Sequence, residues 1–280
     1  MIASRSDTLA AAPAGLHCDP LSEDAVRNNV LALTLGIVAG LTGGLFGVGG
    51  GLVAVPGLVL LLKMTQHRAH ATSVTAITAT ASAALLPFAF ASEIQWRTAG
   101  LLTIGAIVGA VIGAGLMGRV SEVTLARAFV ALTVVAGIRL VMLSDGATES
   151  LADPTSLYGG LLLLVTGLAA GTLAALLGVG GGVVFVPALV VLFGLEQHLA
   201  QGTSLAAIVP TTIIASIRHA RHGRVDWNLV VPLAAGGVAG GVLGALLALD
   251  LAPALLRRLF VALLVIVSIR MVQKTRRSQV

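Results

Sequence analysis

Charged residues divide this chain into long apolar runs. No Asp, Glu, Lys or Arg occurs in Asn28–Leu62, Ala71–Ser92, Thr98–Gly118, Pro154–Leu195, Gln197–Ile217 or Trp227–Leu249. Each run reaches the ~20 residues that an α-helix needs to cross the hydrocarbon core of a bilayer. Two shorter runs, Ala128–Ile138 and Leu259–Ile269, are bracketed by arginines. Arg127 with Arg139, and Arg258 with Arg270, can reach both interfaces from one spanning helix. The runs do not alternate in the ~10-residue pattern of a membrane β-barrel. The pattern predicts an all-α polytopic membrane protein.

Composition sharpens that reading. Hydrophobic residues make up 57% of the 280 positions before the 34 glycines are added, and charged residues only 10%, against about 25% in soluble domains. There is too little polar surface for a water-soluble globule, which excludes a cytosolic enzyme, a secreted domain and a nucleic-acid-binding module. The net charge of +5 sits beside and between the apolar runs, where it reports membrane orientation rather than a nucleic-acid partner. Cys18 is the one cysteine, so no internal disulfide forms.

The chain is also written twice. A shift of 131 residues places Gly47-Val48-Gly49-Gly50-Gly51 on Gly178-Val179-Gly180-Gly181-Gly182, Pro56 on Pro187, and Gln66-His67 on Gln197-His198. The same shift places Thr72-Ser73 on Thr203-Ser204, Trp96 on Trp227, the Gly105, Gly109, Gly113 series on Gly236, Gly240, Gly244, and Arg127 and Arg139 on Arg258 and Arg270. Biased composition explains matching Leu and Ala; it does not explain matching Trp, Pro, Gln and His at one offset. The expected organisation is a loose tail over 1–27, a first transmembrane repeat over 28–143, an acidic linker over 144–158, a second repeat over 159–273 and a basic tail over 274–280. Each half predicts an apolar run that stops at the glycines, a short apolar piece, and three further spans, giving eight to ten transmembrane segments with glycine-broken helices. Asn28–Leu62 is long for one crossing and short for two. If it crosses once the repeats are parallel; if it folds back they are inverted. Inversion puts Lys63, Arg68, Arg119, Arg218, Arg221, Arg224 and the C-terminal Lys274, Arg276 and Arg277 on one face, so the positive-inside rule favours it. Both termini are then expected in the cytoplasm.

The triple glycines carry the chemistry. In mid-apolar sequence each costs a helix about 1 kcal/mol relative to Ala. Broken backbone at membrane depth is tolerated only inside protein or beside a hydrated cavity. A helix restarting there aims free N–H groups and its positive dipole end into that cavity, which suits an anion. Gly47, Gly49, Gly50 and Gly51, with Gly178, Gly180, Gly181 and Gly182, are therefore the first candidate site residues. Thr72, Ser73, Thr203 and Ser204 are the second set: their hydroxyls either cap helix starts or donate to oxyanion oxygens. Gln66, His67, Gln197 and His198 are candidates for gating or a proton relay. The spaced glycines read as close helix packing, and Trp96 and Trp227 as interfacial anchors. No Lys-Ser/Thr follows either glycine run, which excludes a nucleotide loop. No histidine cluster repeats under the shift, so no metal site is assigned. No Asp or Glu lies deep in a run, which disfavours a cation site.

Gly44-Leu45-Phe46-Gly47-Val48-Gly49-Gly50-Gly51-Leu52-Val53-Ala54-Val55-Pro56 followed by Ala71-Thr72-Ser73, repeated as Leu177–Pro187 followed by Gly202-Thr203-Ser204, resembles the TauE/SafE family of membrane anion permeases over essentially 28–273. The resemblance implies a bacterial inner-membrane protein that moves small sulfur-containing anions such as sulfite or organosulfonates, often outward, with no cofactor and no catalytic residues. Its implied partners are a small anionic substrate and the lipid bilayer. The interior of a cell is negative, so each exported negative charge is favoured by about 2.3 kcal/mol per 100 mV; export is the expected direction. The competing expectations are a non-transport membrane protein, such as an assembly subunit or a membrane-embedded enzyme, and a permease for another anion such as a carboxylate.

Overall fold

A computed structural model describes residues 23–116, 134, 137, 152–177 and 181–277. Apart from residues 134 and 137, the expected span near 123–143 lies outside the described residues, as do Arg127, Arg139, Gly178 and Gly180. Among those described there is no strand. The helices are α1 Glu23–Phe46, α2 Gly51–Leu61, α3 Gln66–Phe90, α4 Trp96–Leu116, α5 Leu157–Leu177, α6 Gly182–Phe193, α7 Gln197–Arg221, α8 Trp227–Asp250 and α9 Pro253–Arg277. Six of them, α1, α3, α4, α5, α7 and α8, are long and apolar enough to cross a membrane.

Several helices outrun their apolar runs. α1 extends upstream of Asn28 to include Glu23 and Asp24, whose negative charge near the beginning of a helix suits its dipole; Asp24 also pairs with Arg27 at 2.8 Å. α7 ends on Arg218, His219 and Arg221, which complement the opposite end of a dipole. α5 is capped by Ser156, whose hydroxyl accepts from the Gly159 N–H at 2.9 Å. Just before it, the Thr155 hydroxyl and N–H hold the Asp153 carboxyl below the usual carboxylate range.

Two glycine seams set the packing. Along α1, side chains at Gly36, Gly40 and Gly44 would run into the backbone of α8 at Leu233, Gly237 and Gly241 in turn, and side chains at Gly236, Gly240 and Gly244 would run into Leu33, Ile37 and Leu41. Along α4, Gly105, Gly109 and Gly113 meet Leu164, Leu168 and Thr172 of α5 in the same manner. Backbones this close collect dispersion contacts that larger residues would forbid. The spaced glycines therefore serve packing, as expected.

The seams also fix directions. Contacts that climb in step make α1 parallel to α8 and α4 parallel to α5. α3 runs with α8, since Gly237 faces Thr80 and Gly241 faces Ala84. α7 runs against α3, because the Thr72 hydroxyl meets Asp226 while the Thr203 hydroxyl meets Gln95. Helices α2, α3 and α4 begin at Gly51, Gln66 and Trp96, and α6, α7 and α8 begin 131 residues later at Gly182, Gln197 and Trp227. The helices paired by this shift, α3 with α7 and α4 with α8, run in opposite senses. Asn28–Leu62 is a hairpin: Gly50 abuts Ala39, and Gly57 abuts Leu35 one turn further back along α1. With 11 residues, α2 is only about 16 Å long, half the ~30 Å hydrocarbon core.

One face of the bundle carries the α2–α3 and α7–α8 connections, with exposed Lys63, Arg68, Arg218, Arg221 and Arg224. Arg68 pairs there with Asp226 at 3.5 Å. The other face carries Glu93, Arg97, Asp153, Glu196 and Asp250. Trp96 and Trp227 are exposed at the first positions of α4 and α8, one toward each face, where amphipathic rings anchor at an interface.

Candidate functional site

α1 ends at Phe46, and the chain reverses through Gly47, Gly49 and Gly50 with φ of 70°, 77° and 87°. A side chain is strained in that region, and at Gly50 it would also press on the Ala39 carbonyl. α2 then starts at Gly51 with Gly50 as its N-cap, and no side chain caps it. The first N–H groups of a helix have no partner within it. Gly49, Gly50 and Ala54, on either side of that start, line a small cavity together with Gly40, Ser73, Thr80 and Gly237, among others.

Ser73 is the telling residue. It is 0% exposed, lines the cavity, and its hydroxyl has no hydrogen-bond partner among the described residues. A buried hydroxyl left unpaired costs about 1–3 kcal/mol. Thr80 lines the same cavity seven residues on, although its hydroxyl donates back to the Ala76 carbonyl at 3.2 Å. The cavity offers only about 10 Å³ to the centres of water-sized solutes, room for one water. Nothing larger than a water fits it in this conformation.

The other candidates separate. The Thr72 hydroxyl accepts the Asp226 N–H at 3.1 Å, and the Thr203 hydroxyl accepts the Gln95 N–H at 3.0 Å. Each threonine thus holds the residue before α8 or α4 in the opposite half. Ser204 is buried and donates to the Gly47 carbonyl at 2.8 Å. Gly181 precedes α6 with an ordinary right-handed backbone, φ −68°, and Gly182 packs against Val48, so the start of α6 touches the first glycine break. Gln66 and His67 are exposed, whereas Gln197 is buried. His198 Nε2 lies 2.9 Å from the Ala248 carbonyl oxygen. Among the described residues no three His, Cys, Asp or Glu side chains form a metal-binding group.

Gln201 was not among the candidates. It is fully buried, donates through Nε2 to the Leu45 carbonyl at 3.1 Å and packs on Gly47. An amide four residues after Gln197 and three before Ser204, inside an apolar helix, is the signal that would have found it.

These contacts divide the Thr-Ser pairs by role. Thr72→Val is expected to lower the melting temperature, at about 1–3 kcal/mol for an orphaned backbone N–H, while affinity for a solute held in the cavity stays within twofold. Ser73→Ala is expected to do the reverse. A thermal melt and a binding isotherm on each variant decide it; loss of affinity in Thr72→Val at unchanged stability would put the threonine in the site instead.

The family described as Sulfite exporter TauE/SafE matches residues 5–140 and 163–280. This chain belongs to the TauE/SafE family. It is similar to a "Probable membrane transporter protein" of Xylella fastidiosa, 29% identical over 216 residues, covering 76% of this chain and 82% of that protein. It is also similar to the "Probable membrane transporter protein YunE" of Bacillus subtilis, 27% identical over 235 residues, covering 74% and 84%. No solved structure matches it significantly. Six apolar helices and these relatives make this TauE/SafE member a multi-pass membrane transporter.

Proposed function

We propose that this transporter exports small sulfur-containing oxyanions, such as sulfite or organosulfonates, across a bacterial inner membrane. The substrate sits between two pseudo-symmetric, inverted halves. The observation that carries the site is the unpartnered, buried Ser73 hydroxyl beside the uncapped start of α2. Oxyanion oxygens accept hydrogen bonds and carry the charge that a helix start favours. Gly49 and Gly50 keep the backbone bare, so a ligand can approach its N–H groups closely. The substrate class follows the family description.

The basic face is the cytoplasmic one by the positive-inside rule, which places both termini in the cytoplasm. Its arginines concentrate anions at the entrance, and the membrane potential favours their exit. The cavity is too small for an oxyanion in this conformation, so α2 with the glycine turn must move for one to enter.

The test is sulfite flux from proteoliposomes. Wild-type protein is expected to give saturable efflux that other small oxyanions compete. Ser73→Ala is expected to raise the half-saturating concentration about tenfold or more, the value of a hydrogen bond to a charged group. Competition by short carboxylates alone would transfer the site to a carboxylate permease. Saturable sulfite efflux unaffected by Ser73→Ala would move the site elsewhere.

A further inference from the structure

Two polar stripes lead to the glycine break from opposite faces. On α3, Gln66, His70, Ser73 and Ile77 are spaced by four, three and four residues, so they share one side of the helix. On α7 the 131-residue shift gives Gln197, Gln201, Ser204 and Ile208, with the same spacing. Because α3 and α7 run in opposite senses, the first stripe starts on the basic face and the second on the other. They meet at Gly49, where an added Cβ would lie 3.2 Å from Ile77 Cγ2 and 3.4 Å from Ile208 Cγ2.

The two stripes are not in the same state. Gln66 is exposed, His70 is half-buried and Ser73 is buried, so burial deepens stepwise from the basic face. On α7 burial is complete from the outset: Gln197 is 4% exposed, and Gln201 and Ser204 are 0%. Yet both amide atoms of Gln197 and the amide oxygen of Gln201 have no hydrogen-bond partner among the described residues. A packed interior does not leave three amide atoms unsatisfied without reason. Gln201 also holds the Leu45 carbonyl at the end of α1, and Ser204 the Gly47 carbonyl of the break, so this stripe is fastened to both.

We infer that Gln197 and Gln201 form a second station for the same oxyanion, between the non-basic face and the glycine break, and that it is sealed in this conformation. The inference rests on the transport reading above. When α7 parts from the end of α1, the Gln201 Nε2 group is released and joins that of Gln197. Each side-chain amide carries two N–H donors. Four donors one helical turn apart suit a small oxyanion and add no fixed charge that would trap it. Ile77 and Ile208 form the apolar constriction between the two stations.

Gln197→Met and Gln201→Met keep the side-chain length and remove the amide. In proteoliposomes sorted by orientation, Gln197→Met is expected to raise the half-saturating sulfite concentration at least tenfold from the non-basic face. From the basic face it is expected to stay within twofold. The melting temperature is expected to hold or rise, since an unpaired buried amide gives way to an apolar group. A fall in stability that tracks the flux loss on both sides would make the glutamines structural and overturn the inference, as would unchanged kinetics from both faces. If Gln197→Met does not fold, Gln197→Asn retains the amide one carbon short: a fivefold sided loss supports the station, and wild-type kinetics overturn it. Wild-type protein with neither sulfite binding nor flux sinks the transport reading itself, whereas wild-type flux with unaffected glutamine variants sinks only the second station.

Discussion

Gly40→Val is expected to abolish the folded protein, whereas Gly100→Ala is expected to leave it intact or stabilise it. At Gly40 an added Cβ would overlap the Gly237 carbonyl and lie 2.8 Å from the Gly241 nitrogen. Both are backbone atoms of α8, which cannot turn aside as a side chain would. Overpacking a well-packed interior costs about 1–3 kcal/mol. Here α1 as a whole must lift from α8, taking with it one wall of the cavity at Gly40 and Gly237. Gly100 lies in α4 with no atom within 4 Å of an added Cβ, and alanine there gains about 0.5–1 kcal/mol of helix propensity. Size-exclusion profiles and thermal melts in detergent check the pair. A Gly40→Val protein as stable as wild type would mean that α1 and α8 do not approach this closely.

Gly50→Ala is expected to stop transport in protein that still reaches the membrane. The left-handed backbone at φ 87° costs a side chain about 1–2 kcal/mol. The Ala39 carbonyl oxygen, 2.5 Å from the added Cβ, contributes about 1–3 kcal/mol of overpacking. Both effects are relieved by shifting the start of α2, the part proposed to hold the substrate. Gly223→Ala separates strain from crowding. Gly223 also has a left-handed φ, 63°, but no atom lies within 4 Å of an added Cβ. It is expected to cost only the strain, with unchanged transport. Equal flux in both variants would show that the geometry at Gly50 is not needed for transport.

The candidate site was legible in part, for identifiable reasons. The glycine break stood out because three helix-breaking residues in an apolar run, at two places in the chain, have no other cheap explanation. Ser73 could be listed beside Thr72 but not told apart from it. A helix turns about 100° between neighbours, so one hydroxyl faces the cavity and the other the backbone before α8. Gln66 and Gln197 are equivalent in sequence and opposite in exposure, because burial depends on which stripe is covered in this conformation. Gln201 escaped notice because its counterpart under the shift is His70, and identity matching favours positions that did not diverge.

Sequence by itself determined the all-helical membrane class, the 131-residue offset between matching motifs and the family resemblance. All of these are carried by local quantities: the absence of charge over a bilayer's thickness, the price of glycine in a helix, and identity at a fixed offset. Only the tertiary structure decided that Asn28–Leu62 folds back as a hairpin, that the helices paired by the shift run in opposite senses, and which hydroxyl faces the cavity. Those depend on contacts between residues far apart in the chain, such as Gly40 with Gly237 and Thr72 with Asp226. Hydrophobic patterning marks every lipid-spanning helix alike, and so cannot say which helices meet or in which direction they run.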